Sequence, residues 1–118
     1  MSHGASQVRF RNHYGKKIYV AYMRRDFSCQ ADSGEPWEVR GWINLDPWET
    51  EYRANPTQNQ WFYYYAEATD GAFWAGPYVV QVTNSVFQNC TGTGKTGWYN
   101  VGMRELDTVK YAGVRFVP

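Results

Sequence analysis

Hydrophobic and polar positions along the chain recur with a period of two, not 3.6. Val8 and Phe10 alternate with Arg9 and Arg11, and Asn12-His13-Tyr14-Gly15 then reads as a turn. Lys17 to Met23 reads as a second strand, so the pair predicts a hairpin, Asn and Gly being residues that turns select. Arg24 to Pro36 is polar and rich in turn formers, and is expected to be the longest loop. Trp37 to Leu45 is strand-like and stops at Asp46-Pro47. Trp48 to Arg53 follows as a short strand with Trp48, Thr50 and Tyr52 on one side. Asn55 to Asn59 is a loop.

Gln60 to Thr69 is the most telling segment, because it carries five consecutive aromatics, Trp61-Phe62-Tyr63-Tyr64-Tyr65. Successive strand side chains point to opposite faces, so this run loads both sides of one ribbon with large rings. Phe62 and Tyr64 are assigned to the core, and Trp61, Tyr63 and Tyr65 to the opposite face. Asp70-Gly71 is a tight hairpin signal leading into Ala72 to Thr83, which should pair with the aromatic strand and bring Trp74 near it. Pro77 lacks an amide donor and implies an edge or a break into two segments. Val86-Phe87 is short. The loop Thr91 to Gly97 precedes Trp98 to Val101, and Val109 to Val117 alternates imperfectly around Gly113. No amphipathic helix of useful length is visible. Short strands between closely spaced turn signals predict an all-β, compact antiparallel β-sandwich of about eight to ten strands. Residues 1–7 form an N-terminal tail, and residues 8–118 a single domain of a size that supports one core.

Composition sharpens this without redirecting it. Six Trp, ten Tyr and six Phe make up 19% of 118 residues. Twelve basic side chains against eleven acidic ones leave a net charge of +1, so no global field steers the chain to nucleic acid or anionic lipid. No apolar stretch approaches a membrane span, and residues 1–7 show no signal-peptide apolar region. A cytoplasmic protein or a mature secreted form both fit. Cys29 and Cys90 are the only cysteines. They can close one long loop as a disulfide or remain buried thiols, and they have no metal-ligand spacing.

Apparent catalytic motifs do not hold up. Thr91-Gly92-Thr93-Gly94-Lys95-Thr96 resembles the end of a phosphate-binding loop, but Asn89 stands where that loop needs its first glycine, and a strand follows instead of a helix. His3 and His13 lie in a tail and a turn, so no metal site or nucleophile-base pair is expected. Glu67, Asp70 and Glu51 are the carboxylates nearest aromatics and would be the acids of a small hydrolase. No catalytic residue and no cofactor is assigned.

The rings therefore carry the expected function. Trp and Tyr offer flat faces with polar edges, suited to sugar rings and to protein partners. The candidate ligand-binding residues are Trp61, Tyr63, Tyr65, Trp74, Trp37 and Trp98. The leading expectation is a non-enzymatic binding module for a glycan or a protein surface. A self-assembling subunit packing through edge strands and aromatic faces comes second, and the carboxylate hydrolase third.

The order Ile18-Tyr19-Val20-Ala21-Tyr22, Trp37-Glu38-Val39-Arg40-Gly41-Trp42, Leu45-Asp46-Pro47, Tyr63-Tyr64-Tyr65-Ala66-Glu67, Trp74-Ala75-Gly76, Val86-Phe87 and Cys90 resembles the bacterial domain-of-unknown-function 1036 family. The resemblance spans roughly Val8 to Leu106. It departs where Trp48-Glu49 follows the proline, a place where the family pattern has glycine and often cysteine. It implies a compact, mostly β domain and carries over no catalytic residue.

Overall fold

The structure, a computed structural model, describes residues 3–92 and 94–118. Met1 and Ser2 of the expected tail and Thr93 of the glycine-rich loop lie outside the described residues. The fold is all-β. Its strands are β1 (Gln7–Asn12), β2 (Ile18–Arg25), β3 (Trp37–Leu45), β4 (Thr50–Ala54), β5 (Trp61–Ala68), β6 (Phe73–Trp74), β7 (Tyr78–Val82), β8 (Phe87–Cys90), β9 (Tyr99–Asp107) and β10 (Gly113–Phe116). One short helix, α1 (Phe27–Ser33), lies between β2 and β3.

A small sheet has the order β10-β1-β4 and a larger one β7-β9-β5-β2-β3-β8, with β6 paired to β5. All pairings are antiparallel except β1 with β10. The expected β1–β2 hairpin is therefore a corner between sheets. Asn12, fully buried, builds that corner: its Nδ2 donates to Lys16 O (2.6 Å) and Leu45 O (3.0 Å), and its Oδ1 accepts from Tyr14 N (2.8 Å). A turn-forming side chain that satisfies three backbone groups directs the chain across the core as readily as back along it.

Three further expectations need correction. The loop after Arg24 contains α1, which Asp26 caps by accepting from Ser28 N and which Gly34 ends in the left-handed region. At seven residues it is too short to show a helical period. Trp48 is not in a strand but in a turn at φ 70°. The segment after Asp70-Gly71 breaks at Pro77, as read from the sequence, but only β6 pairs with β5, while β7 pairs with β9.

β5 lies between β2 and β9 near the middle of the large sheet, and both its faces are packed. Between the sheets, Phe62, Ala66 and Ala68 meet Val8 and Phe10 of β1, Phe116 of β10, Val20 and Tyr22 of β2 and Leu45 of β3. Phe10 stacks on Phe116 (centroids 6.2 Å, planes 12° apart) and Tyr22 on Phe62 (5.6 Å, 9°). Phe62 and Tyr64 thus face inward, as expected. The other face has its own core of Ala21, Met23, Val39, Tyr63, Val80, Val82, Phe87, Val101 and Met103. The large sheet curls until β7 lies over β3, and Trp42 Nε1 of β3 donates to Thr83 O just after β7 (2.7 Å). The close approach inside the curl has a backbone cause. A Cβ on Gly102 would stand 2.1 Å from Gly76 O, and Gly76 N donates to Gly102 O (3.1 Å).

Cys29 and Cys90 form a disulfide, with Cα atoms 5.4 Å apart, so the open choice between bridge and thiols resolves to the bridge. It ties α1 to β8, an edge of the large sheet.

Candidate functional site

Alternation puts Tyr19, Ala21, Met23 and Arg25 of β2 on one face of the large sheet, and Trp61, Tyr63, Tyr65 and Glu67 of β5 beside them on the same face. The curl fills the middle of this face and leaves its ends open. At one end a cross-strand row forms, because Tyr19 pairs with Asn44 of β3 on one side and with Glu67 of β5 on the other. Trp42, Tyr99 and the loop Asn84-Ser85-Val86 rise around that row and close a groove of about 460 Å³.

The groove walls are fixed by packing. The Trp42 ring is anchored through Nε1 to Thr83 O and lies edge-on to Tyr65 (6.1 Å) and Phe87 (6.2 Å). Tyr99, at the start of β9, is 39% exposed and presents its ring to solvent. The Lys17 ammonium sits 5.9 Å from the Tyr19 ring centroid at the mouth. Burial, and then the charge of Glu67, push the Tyr65 and Tyr99 hydroxyls above the usual tyrosine range, so both rings stay neutral at physiological pH. Glu67 makes no ion pair or side-chain hydrogen bond among the described residues. Flat rings with a free carboxylate, two amides and a hydroxyl at their edge can stack on a sugar and accept from its hydroxyls.

The residues singled out in the sequence do not come together here. Tyr65 stands behind Trp42 at the groove wall. Tyr63 is buried against Trp37 (5.5 Å) and Tyr78 (4.9 Å), and its hydroxyl donates to Glu105 Oε2 (3.2 Å). Burial and that acceptor push its pKa up to about 12. Trp98 packs on Phe87 (5.2 Å). Trp74 pairs beside the aromatic strand as expected, opposite Ala66, but on its core face, where the ring lies on Tyr14 (5.2 Å) and Phe116 (5.4 Å). Trp61 is exposed and opens onto a separate cleft with Arg25 and Phe27. What sequence reading missed is Tyr19, Trp42 and Tyr99. Alternation puts Tyr19 on one face of β2, but only the pairing of β2 with β3 and β5, and of β5 with β9, brings it beside Glu67, Trp42 and Tyr99.

The three carboxylates considered for hydrolysis are apart. Glu67 alone lines the groove. Asp70 accepts from Tyr14 Oη (2.6 Å), which holds its carboxyl below the usual range, and Glu51 pairs with Arg53 (3.2 Å) on β4. Asp26, Cys29 and Glu38 lie close enough together to suggest metal ligands. Each is already engaged, however: Cys29 in the disulfide, Asp26 in the helix cap, and Glu38 with Arg24 and Arg40.

No family model, curated protein or solved structure matches this chain. The groove is therefore interpreted from its own residues.

Proposed function

We propose that this chain is a non-enzymatic binding module that takes a glycan in the groove of Tyr19, Trp42 and Tyr99. The observation that carries the reading is the Asn44–Tyr19–Glu67 row beneath two further rings, which sets hydrogen-bonding groups beside flat apolar faces in one concavity. The aromatic face that prompted the expectation of self-assembly is closed by the chain's own β7, which favours the groove. A glycosidase would need two carboxyl groups across the scissile bond, and one lines this groove. The motif order that resembles the domain-of-unknown-function 1036 family is consistent with this reading and adds no site residue.

Titration against a glycan array, followed by tryptophan fluorescence, tests the reading. At least one glycan should bind saturably. Tyr99→Ala removes an exposed ring and should weaken it roughly tenfold, the equivalent of about 1.4 kcal/mol of lost stacking and contact. A flat response to every sugar, or full affinity in both Tyr99→Ala and Glu67→Gln, refutes it.

A further inference from the structure

The opposite end of the same face is also open, and its chemistry is reversed. There β2 ends in Arg25 and β5 begins with Trp61, and the two line a cleft of about 470 Å³ with His3, Phe27 and the segment Thr57 to Gln60. No carboxylate is among the residues lining it. The Arg25 guanidinium carbon lies 5.1 Å from the Phe27 ring centroid and 5.7 Å from that of Trp37, so two aromatic faces hold the side chain. Among the described residues Arg25 makes no ion pair.

The nearest acids are turned elsewhere. Asp26 accepts from Ser28 N (3.0 Å) and Ser28 Oγ (2.6 Å), and the cations that act on it are Arg24 and Arg40. Asp107 accepts from the Gln60 side chain (3.3 Å) and from Val109 N (3.0 Å). Glu38 is held by Arg24 and Arg40 on the other face of the sheet. An arginine fork braced by rings and left without an anion is arranged to accept a planar carboxylate through two parallel hydrogen bonds.

We propose that this cleft is a second binding site, for a carboxylate-bearing saccharide unit such as a hexuronate, with Arg25 pairing the carboxylate and Trp61 and Phe27 packing on the ring. Three features favour this ligand. Arg25 is the only arginine or lysine lining the cleft, beside His3, and its one charge balances one carboxylate, whereas a phosphate dianion would bring a second charge that Arg25 does not pair. Exposed Trp61 and Phe27 supply flat walls for a pyranose C–H face. The exposed Gln58 side chain adds a polar group for sugar hydroxyls. The site shares no lining residue with the groove and does not depend on that reading.

The test is a two-dimensional NMR titration of the full chain with a hexuronate oligomer, a neutral hexose oligomer of equal length, and inorganic phosphate. The hexuronate should bind saturably, shift the amides of Gln58 to Trp61 and the Arg25 Nε–H, and weaken as salt is raised. Arg25→Gln should lower the affinity read from the Gln58 to Trp61 amides at least tenfold. Arg25→Lys should fall between, because an ammonium cannot form the paired contact. Thermal unfolding of each variant confirms that it is folded. Lack of saturable hexuronate binding, binding indifferent to Arg25→Gln, equal binding of phosphate, or shifts confined to the groove around Tyr99 would each overturn the proposal.

Discussion

Reducing the Cys29–Cys90 bridge should reveal how the chain holds its edge strand. The bridge joins residues 61 positions apart. In the chain-entropy account a closed loop of that size destabilises the unfolded state by about 4 kcal/mol. That is a large share of the roughly 5–15 kcal/mol of a typical domain. Unfolding entropy near 2.1 cal/mol/K per residue then places the expected drop in Tm at about 15 °C. Cys29 is also the buried residue of α1, so the helix should loosen first, through exchange of its amides, before the sheets give way. The cleanest comparison is oxidised against reduced wild-type protein by thermal and urea unfolding, because a serine at the buried Cys29 would add a desolvation penalty of its own. Thiol titration in denaturant should find no free thiol before reduction and two after. A Tm change of only a degree or two, with α1 amides still protected, would refute the reasoning.

Two further outcomes follow from close packing. The folded-state pKa of Tyr63, about 12, exceeds the ordinary value of 10, so its contribution to stability is complete below pH 10 and is lost as pH rises towards 12. Urea unfolding between pH 8 and 11.5 should show the Tyr63 contribution level to about pH 10 and falling above it, less steeply in Tyr63→Phe; an unchanged slope in the variant would count against the burial of Tyr63 beside Glu105. Gly102→Ala forces a methyl against Gly76 O and should destabilise by on the order of 1–3 kcal/mol, read from the urea midpoint. A midpoint within error of wild type would mean that β9 and the Gly76 backbone are not in contact.

Strand existence was legible wherever alternation was strong. β3 and β5 fall close to their expected bounds, and Asp70-Gly71 and Pro77 act as turn and break, because these signals are local. Pairing was not legible. Asn12 to Gly15 looks the same whether β2 returns beside β1 or crosses to another sheet, and the crossing is decided by Phe10 and Val20 meeting in one core. β9 extends to Asp107, well past the expected Val101, because Gly102, Arg104 and Glu105 hide a strand held by two neighbours. The candidate site shows the same division. Glu67 and Tyr65 could be placed on one face from β5 alone, whereas Trp42 and Tyr99 join them only through the sheet order.

The parallel pairing of β1 with β10 also sets when the molecule can be finished. Asn12 and Phe116 are partners about a hundred positions apart, and Phe116 fills the space against Phe10. During synthesis, nearly the whole described chain must leave the ribosome before that ring arrives. Until then Phe10, Tyr64 and Trp74 lack their neighbour, and the nascent chain is open to chaperones or to misassociation.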